Sequence, residues 1–368
     1  MFPFLILVIF LLSTTTVAWI VVLIRYLYSL RYLPELSDYS DRVTGEVSAI
    51  IPVRNDDVRP CVTRLAKERC IREILIVNDH SSSSFMDSIS ELAKMQSKVT
   101  ILESNGEGKA AACQTGADAA KKEILLFVDA DTLIDEGAVA RALNLMNEKS
   151  LDAVSAIGKL RCRGLDKILT PFSFGLLNSL IPLKNVMDEK SNGFFFGSFI
   201  MIKKASYQAI GGHASVIDKI LEDKALGEVA KKKGLKIAIT KANKLISAEW
   251  APGFMQNVRA LKRVLAPSMA GKPLLAFLIS LAMTFFLLFS LLALVLGFMN
   301  QYILFLSIFA LAIQLLFSLL ACRFVGVRAI YALAFPFAEV VITAVFWQSF
   351  FIAYTHGKII WKGREYRI

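Results

Sequence analysis

The sequence predicts an α/β domain built on a parallel sheet and held at a membrane by apolar helices at both ends. Two observations carry this. Residues 1–24 and 274–322 contain no charged side chain, and residues 329–353 contain only Glu339. Between these ends, from about Arg42 to Lys272, the composition is that of a soluble domain, and short β-rich runs alternate there with helical patterns. A hydrophobic content of 55% and a mean hydropathy of +0.54 exclude a purely cytosolic enzyme, a disordered chain and a small disulfide scaffold.

The apolar segments come first. Phe4 to Ile24 is long enough to cross a bilayer as a helix. No Lys or Arg precedes it, whereas Arg25 and Arg31 follow, which argues for a retained anchor over a cleaved signal peptide and places the next domain in the cytosol. Segment 1–25 is therefore the N-terminal anchor and 42–272 the cytosolic domain. The uncharged run after Pro273 provides two spans, with Gly297, Asn300 and Gln301 marking the turn. The third stretch conflicts with the charge rule, because one crossing would export Lys358, Lys362, Arg364 and Arg367. A break at Phe335-Pro336-Phe337, giving a re-entrant hairpin in region 273–356 and a cytosolic basic tail at 357–368, resolves it. Glu339 is either a functional intramembrane acid or a group bonded at the interface or hairpin turn.

Four runs in the domain read as buried parallel strands: 47–53 (VSAIIPV), 74–77 (ILIV), 99–102 (VTIL) and 124–128 (ILLFV). Segments 61–69, 84–95 and 109–121 between them have helical spacing. This β-α-β order predicts helices on both faces of the sheet and ligands beyond the carboxyl ends of the strands. Those ends carry Pro52-Val53-Arg54-Asn55-Asp56-Asp57, Asn78-Asp79-His80-Ser81 and Asp129-Ala130-Asp131-Thr132. Acids gathered on one edge repel unless a cation or donor-rich ligand sits among them. Asp129 and Asp131, one residue apart at a strand end, suit Mg²⁺ or Mn²⁺ that also binds phosphate oxygens.

Ser104 to Ala110 (SNGEGKA) resembles a P-loop only superficially, since Glu103 stands where glycine is required and Ala110 where Ser or Thr is. A glycine-containing loop opening a helix at Lys109 still suits an anion, or is a plain turn with a solvated lysine. The net charge of +11 fits anionic lipid and phosphate-bearing substrates in a chain with membrane segments, and nucleic acid is not expected as a partner. The five cysteines form no C-x-x-C pair and the three histidines are scattered, so reduced thiols are expected and zinc is not.

The order IIPVRND, ILIVNDHS, NGEGKAAA, FVDADT, then GGH and LED resembles the family 2 glycosyltransferases with the Rossmann-like GT-A fold, over roughly Val47 to Arg263. The resemblance implies that Pro52 begins the nucleotide-binding loop that includes Asn55, and that Asp79 contacts uracil. Asn78 departs from the family's usual acid. Lys109 would hold the nucleotide, and Asp129 and Asp131 the metal. Asp223, in Leu221-Glu222-Asp223, would be the general base; the plain alternative for Glu222 and Asp223 is a solvated helix start favoured by the dipole. A single displacement then inverts the anomeric centre.

For the acceptor, the sixteen-residue uncharged run between Lys167 and Lys184 is too short to span and reads as interfacial or as a core helix, with Pro171 and Pro182 opposing one continuous helix. Asn192 to Ser198 resembles an acceptor-side segment, though its three aromatics also suit a core. The topology and the ending Trp361-Lys362-Gly363-Arg364-Glu365-Tyr366 resemble the ceramide glucosyltransferase group and its bacterial glycolipid relatives. Arg364 would meet phosphate there, or the tail simply meets anionic lipid. Gln256 to Ala260 departs from the Q-x-x-R-W pattern of processive synthases, with Ala260 in place of Trp, while Arg259 and Arg263 remain available to diphosphate. The expectation is a multi-pass cell-membrane enzyme transferring one hexose from a UDP-sugar to a lipid hydroxyl. Alternatives are a polyprenyl-phosphate sugar synthase, a processive synthase, and a non-catalytic scaffold or transporter.

Overall fold

The computed structural model describes residues 2–180, 183–188, 192–251, 253–355, 357–361 and 364–367. Its contacts divide it into two compact units, residues 32–161 with 183–249, and residues 1–31 with 162–182 and 250–368.

The first unit is built on a seven-stranded sheet. The four expected strands form as β1 (Val47–Val53), β2 (Ile71–Asn78), β3 (Val99–Glu103) and β4 (Ile124–Val128). They are followed by β5 (Ala153–Ile157), β6 (Phe199–Lys203) and β7 (Ile237–Lys241). The spatial order is β3-β2-β1-β4-β6-β5-β7. β1 pairs in parallel with β2 and β4, and every one of its residues is buried. Such central strands carry continuous apolar runs because neither face meets water. The four expected strands pair in parallel, whereas β6, which the sequence did not place, runs antiparallel to both β4 and β5. The sheet is therefore mixed: β6 enters from the opposite end after the excursion 162–198, which contains a helix at Asp166–Leu180.

Six helices accompany the sheet: Arg59–Leu65, Ser83–Met95, Lys109–Ala119, Ala138–Glu148, Lys204–Ala209 and Glu222–Lys232. In chain order around the others they are α2, α3, α4, α5, α7 and α8. The core joins Val47, Ala49, Ile51, Ile74 and Ile76 to Leu126, Val139, Leu143 and Met201.

The second unit contains α1 (Phe2–Tyr32), α6 (Asp166–Leu180), α9 (Phe254–Met269), α10 (Pro273–Gly297), α11 (Gln301–Val325) and α12 (Phe335–Tyr354). Four segments are long and apolar enough to cross a membrane: 3–32, 273–297, 301–325 and 329–354. Phe10, Leu274, Val295, Phe305 and Phe351 are exposed along them, as lipid-facing side chains are. The expected turn between α10 and α11 is present, with Asn300 accepting from the N–H groups of Tyr302 and Ile303 as helix cap.

Two prolines lie within helices, and the expectation that Pro171 interrupts one is corrected. Pro336 lies in the first turn of α12, directly after a 3-10 segment at Ala329–Ala334, where its missing N–H costs no hydrogen bond. Pro171 lies inside a continuous α6. It forfeits one bond near the helix start, and burial of Leu169, Phe172 and Leu176 offsets the loss. Pro182 lies outside the described residues. α6 and α9 group with the apolar helices, so the unit boundary falls inside the segment 42–272.

Glu339 is fully buried on α12. With the Gln314 amide oriented to match its neighbours, its nitrogen donates to Glu339 Oε1 at 3.2 Å while its oxygen accepts from Trp19 Nε1 at 2.9 Å and Ser290 Oγ at 3.1 Å. One polar cluster thus joins four apolar helices. The five cysteines are free. The tail forms a two-stranded ribbon, Lys358–Trp361 against Arg364–Arg367.

Candidate active site

The carboxyl ends of β1, β2 and β4 converge as the topology requires. Pro52 is buried within β1 opposite Val77, so the loop proper begins after it. Asn55 adopts a left-handed backbone (φ 59°), which Asn tolerates better than most residues. Its N–H donates to Ser81 Oγ at 3.0 Å and its Oδ1 accepts from the Ser82 N–H at 2.8 Å. Asn55 therefore ties the loop after β1 to the loop after β2.

Asp79 is buried, and its Oδ1 accepts from the Gly108 N–H at 2.7 Å while Arg54 stands 3.7 Å from Oδ2. Asn78 donates to Glu103 Oε2 at 2.8 Å and accepts from the Ser81 N–H at 2.9 Å. An amide does both where the family's usual acid could only accept. Gly108 has φ 95°, a conformation that strains any side chain, and it opens α4 directly before Lys109.

Lys109 is the centre of the charge arrangement. Its Nζ lies 2.6 Å from Asp129 Oδ1 and 3.3 Å from Glu222 Oε1. Burial works against the ammonium, but Asp129, Glu222 and Asp223 outweigh it and hold Lys109 well above the usual lysine range. Asp223, at the start of α8, is oriented by two backbone donors: the Gly197 N–H reaches Oδ2 at 3.0 Å and the Lys224 N–H reaches Oδ1 at 2.7 Å. A Cβ at Gly197 would stand 2.7 Å from Lys109 Nζ and 2.9 Å from Asp223 Oδ2. Only glycine leaves room for that approach. Behind Asp131, Arg161 Nη2 donates to its backbone oxygen at 2.6 Å and stands 3.8 Å from Glu249.

A second layer supports these groups. Gln114 Oε1 on α4 accepts from Tyr207 Oη and from the Ala214 N–H, both at 3.0 Å. Tyr207 Oη also lies 2.9 Å from His213 Nδ1. Burial, with Lys109 nearby, pushes the His213 imidazole down to about 3, so it is neutral at physiological pH. The GGH motif thus belongs to a framework joining α4 to the approach to α8.

The structure brings together Asn55, Asp79, Lys109, Asp129 and Asp223. Arg259 and Arg263 belong to α9 in the helical unit, and Arg364 to the ribbon, with its side chain outside the described residues. Sequence reasoning missed two partners. Glu222 reads as a solvated helix start yet is mostly buried beside Lys109, and Gly197 gave no signal beyond lying in an aromatic-glycine segment.

Residues 48–211 match the model described as Glycosyl transferase family 2. The chain is 25% identical over 339 residues to a 4,4'-diaponeurosporenoate glycosyltransferase of Staphylococcus aureus, covering 88% of each chain. It is 26% identical to a protein of the same description from Staphylococcus haemolyticus, over 55% of this chain and 56% of that relative. Among solved structures, a mannosyltransferase of Pyrobaculum calidifontis in complex with GDP-Man and Mn²⁺ superposes with a TM-score of 0.57 at 18% identity, over 94% of this chain and 99% of that one. The likeness to that structure is one of fold. Together with the family match, it makes this chain a glycosyltransferase carrying a family 2 domain of GT-A fold.

Proposed function

We propose that this protein transfers one hexose from a UDP-sugar to the hydroxyl of a membrane lipid, with inversion, from a catalytic domain on the cytosolic side of the cell membrane. The observation that carries the reading is the Asp223 carboxylate, aimed by the Gly197 and Lys224 N–H groups beside Lys109 and Asp129. A carboxylate held this way can take the proton of an attacking alcohol in the transition state.

Asp129 and Asp131 offer hard oxygen donors at a strand end, which suits Mg²⁺ or Mn²⁺. Among the described residues no group of three or more His, Cys, Asp or Glu forms a closed metal site. Asp129 and Asp131 alone would supply two carboxylates, and diphosphate oxygens would complete the set. Bound there, the ion would stabilise the charge left on the departing diphosphate. Lys109 adds a second positive charge at the same place. Pro52, Asn55 and Asp79 shape the pocket for the base. The apolar helices give a lipid acceptor a phase to reside in.

A second reading concerns the acceptor. The staphylococcal relatives are named for an acid anion, diaponeurosporenoate. A carboxylate, like a polyprenyl phosphate, is already a nucleophile and needs no base. The deciding experiment supplies purified protein and host lipid extract with a panel of UDP- and GDP-sugars, with and without Mn²⁺ or Mg²⁺. Metal-dependent UDP release together with a new glycolipid supports the reading. Release from GDP-sugars alone would overturn the donor, and turnover unchanged by chelation would overturn the metal.

A further inference from the structure

The sheet domain has a second charged concavity, at the opposite end of the strands from the candidate active site. A cleft of about 740 Å³ lies between the loop leading into β1, the turn between α2 and β2, and the start of α5. A volume of this size falls in the range of small-molecule sites, roughly 300–1,000 Å³. Arg42, Arg69, Arg72 and Glu136 line it around the buried Glu68. Arg42 precedes β1 and Arg72 is the second residue of β2, whereas Asn55 and Asp79 follow those strands. The seven residues of β1 separate the two ends by about 20 Å, so the cleft is no part of the donor site.

Its walls are set before any ligand arrives. The loop carrying Arg42 has no regular structure, yet the buried Asn144 of α5 fastens it. Asn144 Nδ2 donates to the Ser40 and Arg42 carbonyl oxygens at 2.6 and 2.9 Å, and its Oδ1 accepts from Thr44 Oγ1 at 2.8 Å. Opposite, Glu68 Oε1 accepts from the Val139 N–H at 3.2 Å and holds the start of α5 in place. Walls fixed in advance lower the ordering cost of binding.

The charges then sort into engaged and uncommitted groups. Arg72 Nε lies 2.8 Å from Glu46 Oε1, and Asp41 Oδ2 lies 3.3 Å from Arg141 Nη2. The Arg42, Arg69 and Glu136 side chains are exposed and make no ion pair among the described residues. Two guanidinium groups and one carboxylate therefore line one cleft uncommitted. Guanidinium offers phosphate a fork of parallel N–H donors. A carboxylate beside it repels a bare phosphate dianion but accepts hydroxyl donors.

We propose that this cleft binds a phosphate ester that carries hydroxyl groups, with Arg42 and Arg69 on the phosphate and Glu136 on the hydroxyls. The chemistry is shared by a phospholipid headgroup and by a soluble sugar or polyol phosphate. The site goes beyond the transferase reading and does not depend on it.

The test is calorimetric titration of the full-length protein in maltoside detergent with glycerol 3-phosphate, with inorganic phosphate and glycerol as controls. The ester should bind saturably and more tightly than either control. Arg42→Gln with Arg69→Gln should weaken it at least tenfold while the donor KM stays unchanged, and Lys109→Met should leave it as tight as before. Glu136→Ala should narrow the preference for the ester over inorganic phosphate. No saturable binding, glycerol binding as tightly as the ester, or an undiminished affinity in the double variant overturns the site. Loss of binding in Lys109→Met places the probe in the donor site and also overturns it. The comparison of ester with controls needs no variant to fold. Repeating the titration in phosphatidylglycerol nanodiscs separates the sources: ester binding that disappears there assigns the cleft to headgroups, and binding that persists assigns it to a soluble ester.

Discussion

Replacing Asp223 with Asn removes the proposed base while keeping the size of the side chain. Both carboxylate oxygens accept a backbone N–H, from Gly197 at 3.0 Å and from Lys224 at 2.7 Å. An amide keeps one acceptor and must turn its NH₂ toward the other donor. One contact becomes repulsive, at a cost of about 1–3 kcal/mol in stability. The kinetic loss is larger. A positioned general base contributes about 10²–10⁴-fold, equivalent to roughly 3–5 kcal/mol of barrier at 1.36 kcal/mol per tenfold. The donor KM should move little, since the new amide still stands beside Lys109 without displacing it. The assay is initial-rate nucleotide release by purified protein in lipid, with a thermal melt as a check on folding. A folded Asp223→Asn protein whose kcat toward hydroxyl lipids stays within tenfold of the original would refute the base. Such retention is what an acid or phosphate acceptor requires, so the same variant separates the two acceptor chemistries.

Other outcomes follow from the same geometry. Gly197→Ala puts a methyl 2.7 Å from Lys109 Nζ and 2.9 Å from Asp223 Oδ2; kcat/KM should fall at least tenfold with the protein still folded, read by rates and circular dichroism. Lys109→Met removes the ammonium that competes for Asp129, so Mn²⁺ should bind more tightly by calorimetry while donor affinity drops; weaker Mn²⁺ binding would contradict the shared site. Gly212→Ala, at φ 56° with its Cβ 2.6 Å from the Tyr207 ring, should lose at least ~2 kcal/mol in denaturant melts. His213 carries a pH signature. The folded imidazole binds a proton only near pH 3, whereas the unfolded one does so near 6.5. The unfolded state thus binds the extra proton in that window, and stability should fall as pH drops through it, by about 1.4 kcal/mol per pH unit from this residue. His213→Gln should flatten that slope in melts measured across the window.

Much of this was legible because buried parallel strands write themselves as uninterrupted apolar runs. VSAIIPV and ILLFV could be placed to the residue, and Asp79 and Asp129 followed as polar positions just past the strands. β6 was harder. FIMIK is as apolar as its neighbours, and nothing in a single strand's composition states which way it runs. The two prolines differ in position: Pro336 opens a helix, where its missing N–H costs nothing, whereas Pro171 is an interior proline whose lost bond is offset by the buried Leu169, Phe172 and Leu176. Glu222 and Gly197 were invisible because their importance is a matter of distance to Lys109, from segments far away in sequence.

The acidic edge poses a problem that the chain answers with its own cation. Asp129, Glu222 and Asp223 surround one point at which their mutual repulsion would otherwise oppose folding. Lys109 stands at that point, on the first turn of a helix whose entry Gly108 and Asp79 fix. On the proposed reading, a divalent ion and the donor diphosphate then enter a site whose excess of carboxylates Lys109 offsets only in part. An ion held by Asp129 and Asp131 would compete with Lys109 for Asp129, and the diphosphate would offer the ammonium a new partner. Each step alone carries a cost, since one strands the lysine and the other brings anions to an acidic edge. Metal and nucleotide should consequently bind with positive cooperativity, each tightening the other by the same factor. Replacing Lys109 by Met should weaken that coupling, because the metal no longer has a resident cation to displace. Calorimetric titration of Mn²⁺ with and without UDP, in both proteins, reads the factor directly. Coupling of equal size in the two would show that Lys109 takes no part in the exchange.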